Sequence, residues 1–133
     1  MGPVSVTVGA LGLVENLNTI IKRYSETSNN EPVKDVTSKA ILGELSAILD
    51  ILTESKIMID ELIDQPTSLI PALTRCHEVI VKLERQMHEM RHRILFLRTS
   101  RVRETLTELR SAVTDFRAMV TQLVLLLTGS RPC

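Results

Sequence analysis

One short segment has the residue types and the spacing of a metal site. His88-Glu89-Met90-Arg91-His92 matches the pattern H-E-x-x-H. On an α-helix such a pattern sets two imidazoles one turn apart, able to grip zinc, with the glutamate as general base. The surrounding sequence opposes that chemistry. Arg91 puts a cation between the two ligands, where it repels a second one. No strand pattern offers an edge on which to lay a substrate, and no histidine follows His92. Met87 and Met90 occupy the apolar stripe of the segment, which leaves the histidines on its flanks. The expectation is two solvated histidines and no catalytic metal.

Other catalytic arrangements are missing from the sequence. It has no phosphate-cradling glycine-rich loop and no C-x-x-C. Cys76 and His77 are adjacent, and neighbours at i and i+1 on a helix do not face each other. Cys76 therefore reads as a core residue. With Cys133 as the only other cysteine there is no disulfide framework, which points to a reducing, intracellular setting. The apolar N-terminus lacks the basic flank of a signal peptide. Gly2 is followed by Pro3, and Val6 stands where a myristoylation signal needs Ser or Thr. The sequence thus describes a cytoplasmic chain that is not an enzyme, takes no cofactor, and works by binding and assembling.

The elements that would position a binding surface are helices. Pro3 suits a first turn, and Val6, Gly9, Leu13, Leu17, Ile20 and Tyr24 keep helical spacing to the polar run Ser25–Glu31, which Pro32 closes. A second helix spans about Val33 to Asp64, with Ile41, Leu45, Ile48, Leu52, Ser55, Ile59 and Leu62 on one stripe. Gln65-Pro66 stops it. Thr67 or Ser68 can cap the third, whose stripe runs Leu69, Leu73, Cys76, Ile80, Leu83, Met87, Met90, Ile94, Leu97. The fourth carries Val102, Leu106, Leu109, Val113, Phe116, Val120, Leu123 and Leu127. Steps of four and three sustained this long predict helices packed at shallow angles, an antiparallel four-helix bundle in a single domain over 1–133. Neither Gly nor Pro occurs from Ala72 to Thr128, which could make one rod of roughly 85 Å. A bundle needs a break, expected within 91–100, with Thr99-Ser100 as the best local cap.

Charge is unevenly spread. Residues 1–65 hold 5 Lys/Arg against 10 Asp/Glu, and residues 66–133 hold 11 against 6, so a net charge of zero conceals two opposite halves. The stretch Arg75–Arg103 has eight basic residues. It is expected either to pair with the acidic second helix or to meet anionic lipid, with Arg91, Arg93, Arg98, Arg101 and Arg103 as lipid-contact candidates. Nucleic acid is disfavoured, because Tyr24, Phe96 and Phe116 are the only aromatics available for stacking. Residues 1–14 carry no charged side chain. They form either a buried first helix or a releasable membrane-insertion segment, with Val4, Val6, Val8, Gly9, Leu11, Gly12 and Leu13 as its candidates. At 1.5 Å per residue this stretch is about 21 Å long, short of the roughly 30 Å of a bilayer core.

The order of these pieces resembles a known family. Gly2-Pro3-Val4-Ser5-Val6-Thr7-Val8-Gly9-Ala10-Leu11-Gly12-Leu13 is similar to the "DP-[VLI]-S-[IV]-x-x-x-[VAI]-x-G-L" opening of fungal HeLo-like domains. Leu73-Thr74-Arg75-Cys76-His77-Glu78-Val79-Ile80-Val81-Lys82-Leu83-Glu84 looks like their "L-x-x-C-x-x-x-[LI]-x-x-L-E" helix. The last helix, with Leu109 and ending Leu125-Leu126-Leu127-Thr128, is similar to their final leucine-spaced "L-T" helix. Gly2 departs from the acidic residue usual there, and Phe96 falls where Trp is common.

The resemblance implies a bundle like those of membrane-attacking cell-death effectors, including the plant resistosome coiled coils and the mixed-lineage-kinase-like pseudokinase. It implies the N-terminal effector part of a longer innate-immunity receptor of the NOD-like or heterokaryon-incompatibility type. Such a domain would self-associate, meet other domains of the same receptor, and move from cytoplasm to plasma membrane through its apolar N-terminal helix. The competing expectation is a plain protein-recruitment module without membrane activity.

Overall fold

Four helix-forming stripes set the element order, with Pro32 between the first two and Pro66 between the second and third. The computed structural model of the chain describes residues 6–30, 36–62, 67–90 and 95–128. They form α1 (Val6–Asn30), α2 (Val36–Asp60), a 3-10 turn (Thr67–Leu69) leading into α3 (Ile70–Met90), and α4 (Leu95–Thr128). Every regular element among the described residues is helical, four long helices in all, as the stripes require.

Three boundaries differ from those read in the sequence. α1 runs through Ser25–Asn30, which composition marks as loop. Ser, Thr and Asn each cost a helix only some tenths of a kcal/mol, so a polar run weakens a helix without ending it. Thr99 and Ser100 lie inside α4 for the same reason, and do not cap it. α2 ends earlier than expected, at Asp60. Its end tightens as the Glu61 N–H donates to the Met58 carbonyl at 3.2 Å and the Leu62 N–H to that of Ile59 at 2.9 Å. The expected break does separate α3 from α4, which packs along α3, so the 57-residue stretch is not one rod.

All four stripes meet in one core. Val6, Ala10, Leu13, Leu17 and Ile20 of α1 join Ile41, Leu45, Ile48, Leu52 and Ile59 of α2, Cys76, Ile80 and Leu83 of α3, and Val102 through Val120 of α4, around a fully buried Phe116. Ser55 sits in that core with its hydroxyl satisfied, donating to the Ile51 carbonyl at 2.8 Å. Leu73 and Met87, placed on the stripe, are half-buried at its edge.

The closely packed sides are α1–α2, α2–α4, α4–α3 and α3–α1. Ion pairs fix the registers. Arg75 meets Asp115 at 3.4 Å and Lys82 meets Glu108 at 3.3 Å, so numbers rise along α3 as they fall along α4. Arg110 meets Glu44 at 3.0 Å and Arg117 meets Glu54 at 3.1 Å, so numbers rise together along α2 and α4. Gly9 of α1 lies against Leu73 of α3.

Candidate functional site

Those registers assign every surface residue a level along the bundle. Gly9, Leu73, Glu54 and Arg117 share one level. Val8 and Leu11 of α1, Ile57 of α2, Ile70 of α3, and Leu125 and Leu126 of α4 lie near it or beyond it toward the same end. These six, with Val81 at mid-height, are the large apolar side chains exposed among the described residues. Leu126 is 62% exposed, Leu125 60% and Val8 57%, so they are outside any packing stripe. The α1 segment 6–14 and the α4 segment 118–128 carry no charged residue. Most charges near this end are already paired: Lys56 with Asp60 at 2.7 Å, Arg75 with Asp115 and Arg117 with Glu54. Glu61 is an exception.

The opposite end is basic. Lys22 and Arg23 lie in the last third of α1, Lys39 in the first turn of α2, Arg85 near the end of α3, and Arg101 and Arg103 near the start of α4. All six are exposed. Among the described side chains, Glu84 and Glu104 lie at that level and Glu44 close to it, and none forms an ion pair with Arg101 or Arg103. Fifteen residues of α4 separate the level of Arg117 from that of Val102, about 22 Å of helix.

The sequence-derived candidates therefore divide. Val6 and Leu13 are buried in the core, whereas Val8 and Leu11 face outward from the same turns. Gly9 is a point of close approach to α3, while Gly12 has nothing within 4 Å of where a Cβ would stand. The structure thus does not present these residues as one face. Arg101 and Arg103 are exposed at the far end, away from the α1 segment; the side chain of Arg98 lies outside the described ones, as do Val4, Arg91 and Arg93 altogether. Among the described side chains, ion pairs to α2 come from Arg110 and Arg117, which lie beyond the basic stretch. Within it, Arg75 and Lys82 pair with acids of α4. A shallow cleft of about 240 Å³ lies between α2 and α4, lined by Ala40, Ile41, Glu44, Arg103, Leu106 and Thr107.

No family model, curated protein or solved structure matches the chain.

The described part of α3 reaches Met90, and Arg91 and His92 of the H-E-x-x-H pattern lie outside the described residues. Among the described residues no three metal-ligating side chains gather. Cys76 is fully buried. Burial pushes its thiol up from 9.0 to about 12, a rise that nearby Arg75 opposes and Asp115 reinforces. A thiol so held is protonated and inert. No helix among the described residues is long and apolar enough to cross a membrane.

The sequence reading missed Leu125 and Leu126. The signal was present: the charge-free run 118–128 contains more leucine than one stripe of a helix can bury. Its regular spacing drew attention to Leu123 and Leu127 and away from the two between them.

Proposed function

We propose that the chain is a non-enzymatic effector bundle of the fungal HeLo-like kind, built from antiparallel hairpins, which self-associates and delivers α1 to an anionic membrane. The observation that carries this reading is the placement of α1. Its apolar start lies at one end of the bundle, and its other end lies among the exposed cations. A bundle drawn to an anionic leaflet by Lys39, Arg85, Arg101 and Arg103 holds the C-terminal end of α1 at the lipid surface. Released and turned about that end, α1 brings Val6–Leu13 into the bilayer. The nine charge-free residues from Val6 to Val14 are about 13 Å of helix, enough to enter one leaflet.

Release costs the burial of Val6, Leu13, Leu17 and Ile20, about 1.5–3 kcal/mol each. Lipid tails return a similar amount for those that insert, so clustering by a neighbouring domain of a receptor can tip the balance. The resting location is cytoplasmic and the active one the plasma membrane. The competing reading, a recruitment module, draws on the same exposed apolar end.

Dye release from vesicles containing phosphatidylserine separates the two. Val8 and Leu11 are exposed, so V8E/L11E should leave the bundle folded and vesicle-bound, yet abolish leakage. Equal leakage from wild type and variant would remove the insertion mechanism; wild type that binds and never leaks would favour recruitment.

A further inference from the structure

The outward side of the α1–α2 hairpin carries four charges that the described fold does not use. On α1, Leu11, Glu15, Asn18 and Lys22 recur at steps of four and three, and Asn18 lies half a turn round from Gly9, the residue against α3. On α2, Lys39, Ser46 and Asp50 lie on the side away from Glu44, which reaches to α4. Both stripes therefore look out from the bundle where α1 and α2 lie side by side. Glu15, Lys22, Lys39 and Asp50 are all exposed, and none forms an ion pair among the described residues.

Their levels are ordered. The argument from here rests on the antiparallel hairpins of the proposed reading, with Gly9 level with Glu54. Lys22 is thirteen residues from that level along α1 and Lys39 fifteen along α2, whereas Glu15 and Asp50 are six and four residues from it. The face is thus cationic at one end and anionic at the other. The midpoint between Glu15 and Lys22 and the midpoint between Lys39 and Asp50 each fall nine and a half residues from that common level. A single two-fold axis laid across the face there brings Glu15 of each copy to Lys22 of the other, and Lys39 of each to Asp50 of the other. We infer that this face docks against the same face of a second copy, antiparallel about that axis.

Charge decides the occupant and the geometry. An anionic leaflet would meet Glu15 and Asp50 on this face together with the two lysines. Two copies facing each other and pointing the same way would set Lys22 by Lys39 and Glu15 by Asp50, like against like. The antiparallel arrangement makes every one of these contacts opposite in sign. Exposed ion pairs contribute little each, so they orient the dimer more than they hold it. The uncharged middle, with Asn18, Leu42 and Ser46, supplies the buried surface. Between its charges the face is about 16 Å long and two helices, about 20 Å, wide, roughly 300 Å² on each copy against the ordinary 800 Å². The dimer is therefore weak, forms where copies are concentrated, and lays two copies of α1 side by side.

Sedimentation velocity in lipid-free buffer tests this, over about 10–1,000 µM, the range of a weak interface. Wild type should shift from monomer to dimer across that range, and added salt should weaken the shift severalfold. E15K/D50K makes the face wholly cationic and K22E/K39E makes it wholly anionic. All four positions are exposed, so both variants should keep their helical circular dichroism and melting temperature. Each should stay monomeric alone, and the two should dimerise when mixed. Asn18 lies half a residue from the axis, so N18C in a C133S background should form a disulfide-linked dimer on mild oxidation. In a dimer of copies pointing the same way, Asn18 would face Ser46 instead, and N18C would link only when mixed with S46C. A wild type monomeric at the highest concentration overturns the dimer and leaves the face to a different protein. Charge variants that pair alone as wild type does, or an N18C that links only to S46C, overturn this axis. None of these outcomes depends on vesicle leakage, so the dimer and the membrane mechanism fail separately.

Discussion

A Cβ placed on Gly9 would stand 2.8 Å from Cδ2 of Leu73. That approach sets how closely α1 lies on α3. Leu73 is half-buried and its far end can turn, so Gly9→Ala forces a rearrangement without barring the fold. Gly43 and Gly12 have open space instead. Gly43→Ala should raise stability by about 0.5–1 kcal/mol through helix propensity alone. Gly9→Ala should gain less than that or lose. Urea midpoints of the two variants measure the difference, and an equal gain at both positions would show that the α1–α3 approach is slack.

The core predicts larger effects. Leu83→Ala and Leu106→Ala each empty a buried position and should cost about 2–5 kcal/mol. Chemical denaturation reads the loss directly; an unchanged midpoint in both would mean that α3 and α4 do not share this seam.

Cys76 gives a pH dependence. Its folded thiol titrates near 12 and its unfolded thiol near 9.0, so the folded state holds the proton more tightly. The resulting stabilisation is complete below about 9 and is lost as pH rises from there toward 12. In a Cys133→Ser background, an aromatic disulfide reagent at pH 8 should label the native protein at least a hundredfold more slowly than the urea-unfolded chain. Rapid native labelling would place Cys76 at the surface.

The exposed cations should control salt dependence on lipid. R101Q/R103Q should weaken binding to phosphatidylserine vesicles severalfold and flatten its decline with added salt. Wild-type binding indifferent to both lipid charge and salt would remove the basic end from the contact.

How much of this the residues disclose follows from what periodicity encodes. Spacing of four and three located most of the buried residues, though not Ala10, Val79, Thr105 or Ala112, because a side chain's face is a local property. The ends of the helices were read less well: Ser25–Asn30 and Thr99-Ser100 looked like boundaries, although none of these residues breaks a helix. The relation between candidate surfaces was not legible at all. Val8 and Arg101 lie at opposite ends of the bundle because of which helices lie side by side and in what register, and no single helix contains that information. The exposed leucines were hidden by their own neighbours, since a run of apolar residues conceals which of them are left exposed.

The two sides that join consecutive helices, α1 with α2 and α3 with α4, are each closed by a connection of only a few residues. Each hairpin can therefore form early from contacts near in sequence, and chains rich in such contacts fold fast. The α1–α2 hairpin precedes α4 in the chain, so it is synthesised before α4 exists to cover Glu44 and Glu54. Until then its stripe from Ile41 to Ile59 has only α1 to lie against, and the interval before α4 docks is the one in which a nascent copy is open to mispairing with another.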